Sequence, residues 1–183
     1  MNDVVTKNDL RREIRALSAL LADGYRHEAS EKIARKLFES DEYKNCVSVF
    51  VYVSVRGEPD TYEIIKRSLA DGKQVYVPRC VKNGVMEAVR IYGTDGLVKN
   101  AYGIPEPVCG EKADVSVIDL AVVPCVSASY DGRRLGHGGG YYDRFLKETK
   151  AKKICLCFDR LIRNDIPTDE NDVKMDEVLT ETT

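Results

Sequence analysis

The sequence has 183 residues, 43% hydrophobic and 32% charged, with 28 basic against 30 acidic side chains for a net charge of −2. That length and balance suit one compact domain over residues 1–183. They give no basic excess for a nucleic-acid partner, and no apolar run approaches the roughly 20 residues that cross a membrane.

The opening segment MNDVVTKNDLRREIR is polar and lacks the apolar stretch of a secretory signal, so a cytoplasmic protein is expected. Leu10, Ile14, Leu17, Leu20 and Leu21 recur at helical spacing, as do Ile33, Leu37 and Phe38. A break is expected between Ala16 and Gly24, with Ser18 available as an N-cap. Val47 to Val55 is dense in β-branched and aromatic residues and reads as a buried strand. Asp60 to Leu69 reads as a helix capped by Asp60 or Thr61, and the next run as a strand ending at Pro78. Val85 to Tyr92 is a further strand and Asn100 to Pro107 a turn-rich loop. Val115 to Val126 reads as a long apolar strand with Asp119 as its weak point. Gly138 to Thr149 becomes an amphipathic helix, and Ile154 to Phe158 one more buried strand.

Strands alternating with helices predict parallel βαβ units in an α/β fold. The expected form is a three-layer α/β/α sandwich with a mostly parallel, Rossmann-like sheet. In such sheets ligands bind beyond the carboxyl ends of the strands, so the functional loops should follow Val55, Val126 and Phe158. Among the six cysteines there is no CxxC pair. Cys46, Cys125, Cys155 and Cys157 lie in or beside apolar runs and read as small buried hydrophobes. With His27 and His137 the sole histidines, a zinc centre is not expected.

The run RLGHGGGYYDR, Arg134 to Arg144, stands between a strand and a helix. Glycines at 136, 138, 139 and 140 let the backbone approach a ligand closely, and successive N–H groups can form an anion nest. The helix that follows adds free N–H groups and the positive end of its dipole. Arg133, Arg134 and Arg144 add full charges, so the loop suits a polyphosphate. It is not a Walker A loop, having no Gly-Lys-Ser/Thr, and it lies too late in the chain for a dinucleotide fingerprint. Asp143 is either an ordinary acid on the first helical turn or a magnesium ligand beside the phosphates.

With Lys7, Leu10 and Arg11, the Gly-Glu-Pro segment within Arg56 to Pro59, YGIPEP at Tyr102 to Pro107 and ENDVKMDEVL, this loop resembles the 5-formyltetrahydrofolate cyclo-ligase family. The resemblance spans nearly the whole chain. It implies that ATP and 5-formyltetrahydrofolate give 5,10-methenyltetrahydrofolate, ADP and phosphate, with Mg²⁺, through attack of the formyl oxygen on the γ-phosphoryl group. It implies ATP contacts from Lys7, Asn8, Asp9, Leu10 and Arg11, and from Arg134, Leu135, Gly136, His137, Gly138, Gly139, Gly140, Tyr141 and Tyr142. Folate contacts would come from Val53, Glu58 and the stretch from His137 to Tyr141, and metal ligands from Asp143 and Asp172, with Asp176 a competitor. Arg134 and Arg144 are the expected catalytic cations, Tyr102 and Glu106 belong to a family-like loop, and the resemblance points to a monomer. Arg15 shares a helix face with Lys7 and Arg11 but lies outside the motif.

One position departs from the pattern. Some members carry Arg-x-Gly-Lys-Gly in the loop, where this chain has His137 and Gly139. His137 then either meets phosphate as an imidazolium or packs on the pterin. Two other classes stay open on residues alone: a sugar-phosphate isomerase or CoA transferase, which needs no ATP, and a non-catalytic nucleotide- or folate-binding protein.

Overall fold

Helix α1, Lys7–Ala19, begins where the chain satisfies its own free amides: Thr6 Oγ1 accepts from the Asp9 N–H while the Asp9 carboxylate accepts from Thr6. The computed structural model describes residues 5–183. Leu10 and Ile14 are the buried side chains of α1, and its other faces carry charge. Ser18 lies inside this helix, contrary to its expected capping role. Its carbonyl accepts from Leu21 N–H and from Arg26, so it closes α1 rather than opening the next helix. Helix α2, Asp23–Glu39, starts after Ala22 with no side-chain cap, and the short α3, Asp41–Asn45, is capped by Ser40.

The central sheet has six strands in the order β10-β9-β6-β1-β2-β3. Strand β1, Ser48–Val51, is fully buried and pairs in parallel with β2, Gln74–Cys80, and with β6, Leu120–Val123. It is shorter than the apolar run predicts because the chain leaves the ladder to build a loop: Ser54 N–H donates to Thr61 Oγ1, whose hydroxyl donates to the Tyr52 carbonyl. Helix α4, Tyr62–Ala70, follows with Thr61 at the cap position, while Asp60 accepts from the Tyr62 N–H. Strand β2 runs on through Pro78, where a ring without N–H is tolerated because pairing with β1 has stopped at Tyr76. Strand β3, Met86–Ile91, pairs antiparallel with β2 and is the one reversed strand of the six.

Beyond β3 the expected loop of residues 100–107 includes a strand. Leu97–Lys99 (β4) and Pro105–Pro107 (β5) form a small antiparallel ribbon. The apolar run Val115–Val126 breaks at Asp119, its expected weak point: Val115–Val117 is a 3₁₀ turn, and Leu120–Val123 joins the sheet as β6. Asp119 is the cause, since its carboxylate accepts from the Val47 and Ser48 amides and the Ser48 hydroxyl. Two-residue strands Ser127–Ala128 (β7) and Arg134–Leu135 (β8) then form a hairpin. Helix α5, Tyr141–Glu148, starts later than Gly138 because Gly140, at φ 69°, holds the left-handed conformation of its N-cap. Strands β9, Lys152–Leu156, and β10, Glu177–Leu179, complete the sheet in parallel.

The chain passes outward from β1 to β2 through α4 and, in the other direction, from β6 to β9 through α5; parallel crossovers are right-handed as a rule, which sets these helices on opposite faces. Phe145 of α5 packs on Phe50 of β1 at 4.7 Å between ring centroids, and Arg67 of α4 covers the Phe38 ring of α2. This is the expected helix–sheet–helix sandwich. Its strand order reverses between β1 and β6, and the crevice at their carboxyl ends opens there.

Candidate nucleotide and folate site

The loop after β1 and the loop after β7 and β8 meet over that crevice. Glu58 and His137, far apart in sequence, come together with Nε2 3.1 Å from Oε1. The Glu58 side chain is 10% exposed and its other oxygen accepts from the Val55 N–H at 2.9 Å. Gly57, at φ 105°, makes the turn that lets this carboxylate fold back over its own loop.

Two clefts adjoin at this point. The first, of about 390 Å³, has Ile14, Val126 and Leu161 among its apolar walls and Glu58 and His137 at its polar side. The second, of about 510 Å³, is bounded by Asn8, Arg11, Arg12, Arg15, His137 and Gly138. Only Arg15 and His137 line both. The second cleft is cationic, and its electrostatics show the crowding: burial and the neighbouring Arg15 pull the Arg11 guanidinium below its ordinary range. Arg11 Nε donates to the Gly136 carbonyl at 2.7 Å, which ties α1 to the glycine loop.

Lys7 Nζ reaches Asp169 at 2.6 Å and Asp172 at 2.5 Å. Burial lowers the lysine's pKa, but the two carboxylates outweigh it and the net shift is upward. Arg134 lies beneath the loop with its side chain 3% exposed, donating to Asp143 Oδ1 at 2.9 Å and to the Pro124 carbonyl at 3.2 Å. Its Nε is buried without a partner among the described residues. Arg144 donates to the carbonyls of Gly84 and Gly139, strapping the loop to the turn between β2 and β3.

Of the residues expected at the nucleotide, Asn8, Arg11, His137 and Gly138 line the second cleft, and of those expected at the folate, Glu58 and His137 line the first; others lie elsewhere. Val53 is 3% exposed and lines neither cleft, whereas Val55 lines the first. Arg134 lines neither cleft, and it supports Asp143 from below. Tyr102 is exposed, and Glu106 accepts from the Cys80 N–H. Arg15, set aside because it falls outside the motif, lies at the junction of the clefts. Its four-residue spacing from Arg11 was the signal that could have found it.

The Val173 N–H donates to Asp143 Oδ1 at 3.2 Å, which brings the segment after Asp172 against the start of α5. Asp176, the competitor, accepts instead from the Lys153 N–H at the other end of the sheet. Among the described residues no group of three or more His, Cys, Asp or Glu side chains is placed to hold a metal. Asp143 and Asp172, hard oxygen donors otherwise balanced by Arg134 and Lys7, fit a magnesium ion that takes one or two carboxylates and completes its shell with phosphate oxygens and water. Four of the cysteines, Cys46, Cys125, Cys155 and Cys157, are buried and unpaired as disulfides, as their apolar settings predict. Among the described residues no helix is long and apolar enough to cross a membrane.

Residues 3–181 match the model of the 5-formyltetrahydrofolate cyclo-ligase family. A probable 5-formyltetrahydrofolate cyclo-ligase of Caenorhabditis elegans is 34% identical, covering 96% of this chain and 92% of that protein. The 5-formyltetrahydrofolate cyclo-ligase of Mus musculus is 32% identical over 97% of this chain and 96% of its own. The NMR structure of Aquifex aeolicus 5,10-methenyltetrahydrofolate synthetase superposes with a TM-score of 0.86 at 30% identity, covering 97% of this chain and 90% of that one.

Proposed function

Because the chain belongs to the 5-formyltetrahydrofolate cyclo-ligase family, it is an ATP-dependent ligase converting 5-formyltetrahydrofolate to 5,10-methenyltetrahydrofolate, and we propose that its two joined clefts hold the two substrates. The observation that carries this assignment is the meeting of the clefts at His137, with Arg11, Arg12 and no carboxylate lining one and the Glu58 carboxylate among apolar walls and arginines lining the other.

In this reading ATP lies in the cationic cleft, its phosphates against Arg11, the loop amides from Gly136 to Gly140 and the start of α5. Lys7, on the same helix, is held by Asp169 and Asp172. The pterin lies in the mixed cleft, where the Glu58 carboxylate accepts from pterin N–H groups once His137 moves off it. The formyl oxygen attacks the γ-phosphorus, ADP leaves, and the formyl carbon becomes an activated imidate-like centre. N10 adds to that carbon and gives up its proton to solvent, the C–O bond breaks and phosphate departs with the oxygen. The amide oxygen is a poor leaving group until it carries the phosphoryl group, which is why the ring closure uses ATP.

Asp143 and Asp172 would hold Mg²⁺, whose chemistry there is neutralisation of phosphate charge. The chain's own cations and amides share that task, and preorganised donors of this kind supply most of the catalysis in phosphoryl transfer. Arg144 keeps Gly139 in place rather than facing the cleft, so its contribution runs through the loop. Arg134 likewise acts by aiming Asp143. The reading takes the protein as a cytoplasmic monomer acting on diffusing small molecules, although a relative from Arabidopsis thaliana is described as mitochondrial.

The test is growth of methenyltetrahydrofolate absorbance with and without ATP and Mg²⁺, in wild type and two variants. Arg11→Ala should raise KM for ATP about tenfold and Glu58→Gln should raise KM for the folate by a similar factor, as expected for one lost charged hydrogen bond. Effects assigned to the opposite substrates would overturn the cleft assignment.

A further inference from the structure

We propose that Arg15 is a catalytic residue of the phosphoryl transfer, contacting the γ-phosphoryl group as it passes from nucleotide to formyl oxygen. The inference rests on the assignment of the two clefts to ATP and folate.

The reaction itself fixes where such a group must stand. The atom that attacks belongs to the folate and the atom attacked belongs to ATP, so the two meet where the clefts join. Arg15 and His137 are the two side chains that line both clefts. His137 is engaged by Glu58 at 3.1 Å, on the folate side. Arg15 is the group at the junction with a permanent charge.

Its bonding state separates it from the other cations of α1. Lys7 is held by Asp169 and Asp172. Arg11 also bonds the Gly136 carbonyl and Asn8, and Arg12 bonds Asp9. Glu13, the acid nearest in sequence, pairs with Arg163. Arg15 alone among them makes no hydrogen bond or ion pair with the described residues. Its guanidinium stands one turn from that of Arg11 and disfavours its charge, an unfavourable like-charge pair that a polyanion between them would relieve. A planar fork of five donors, unengaged and backed by a helix that Arg11 ties to the phosphate loop, suits three equatorial oxygens carrying the developing charge.

The prediction is a loss in turnover rather than in binding. Contacts made in the transition state lower kcat when removed, and donors of this type contribute about 10²-fold or more. Arg15→Ala should lower kcat about 10²-fold with KM for ATP and folate within about threefold of wild type. Arg15→Lys should recover part of the loss, and added guanidinium at low millimolar concentration should partly restore Arg15→Ala. Thermal melting should stay within about 2 °C, because the side chain is exposed and unbonded. Arg12→Ala, in the cationic cleft but away from the junction, should raise KM for ATP with little change in kcat. A kcat for Arg15→Ala within threefold of wild type overturns the proposal, as does a loss confined to KM. Failure of the underlying cleft assignment shows separately, as unchanged KM values in Arg11→Ala and Glu58→Gln.

Discussion

Replacing Asp143 by alanine separates the structural use of this carboxylate from its proposed use toward magnesium. In the fold it accepts from Arg134 Nη2 at 2.9 Å and from the Val173 N–H at 3.2 Å, and the Arg134 side chain is 3% exposed. Removing it leaves a buried guanidinium with one carbonyl partner, Pro124, and an Nε that already has none. Breaking one side of a buried ion pair costs about 3–5 kcal/mol. Asp143 is itself 22% exposed, so water can reach the gap and the low end, about 3 kcal/mol, applies. For a domain of this length that is a fall of roughly 6–12 °C in Tm. Asp143→Asn keeps an oxygen for Arg134 and should lose less than half as much. The assay is differential scanning calorimetry without nucleotide or metal, followed by magnesium titration of activity. Asp143→Asn should melt near wild type yet need far more Mg²⁺. If Asp143→Ala melts within 2 °C of wild type, the pair carries no stability and the reasoning fails.

Two further expectations concern the loop and the sheet. Gly140→Ala places a Cβ at φ 69° and 2.6 Å from Arg144 Nη1, so about 1–2 kcal/mol of backbone strain should appear in chemical denaturation, with loss of ATP affinity as Arg144 is displaced. A melting curve and ATP KM equal to wild type would contradict this. Burial raises the Asp119 pKa, but the amides of Ser48 and Val47 outweigh it and leave the folded value lowered. A depressed folded value contributes stability above the unfolded pKa of about 4 and loses it as pH falls further. Asp119→Asn should therefore flatten the fall in stability between about pH 5 and pH 2, and an unchanged slope would count against it.

How far the sequence could be read depends on which forces were local. Helices α1, α2, α4 and α5 and the buried strands β1, β2 and β9 follow from periodicity and β-branched density, so they were legible, while the five residues of α3 were not. Strand β10 was not, because three residues carry no pattern of their own and join the sheet only through the register of Val178 on Cys155. The break at Asp119 in the run Val115–Val126 was expected from the sequence, but its cause, a carboxylate reaching amides some seventy residues earlier, lies outside any local window. The site divides in the same way. The reading of the glycine loop as a phosphate cradle draws on a few consecutive residues. The Glu58–His137 contact and the burial of Arg134 under Asp143 are products of the fold, and nothing in either segment alone reports them. Arg15 shows the opposite failing, since a motif boundary hid a residue whose helical spacing was visible.

The bond from Lys7 to Asp169 and Asp172 spans more than 160 residues of sequence. In a chain synthesised from its amino end, residue 7 waits for more than 160 further residues to be translated before it meets its partners. Helix α1, which supplies four of the six residues around the cationic cleft, thus acquires its final anchor last. A ribosome-bound fragment lacking the segment from Asp169 onward would hold the glycine loop and most of the sheet, but its α1 would dock without that anchor. Nucleotide binding during synthesis should accordingly appear late, after the acidic turn has left the exit tunnel.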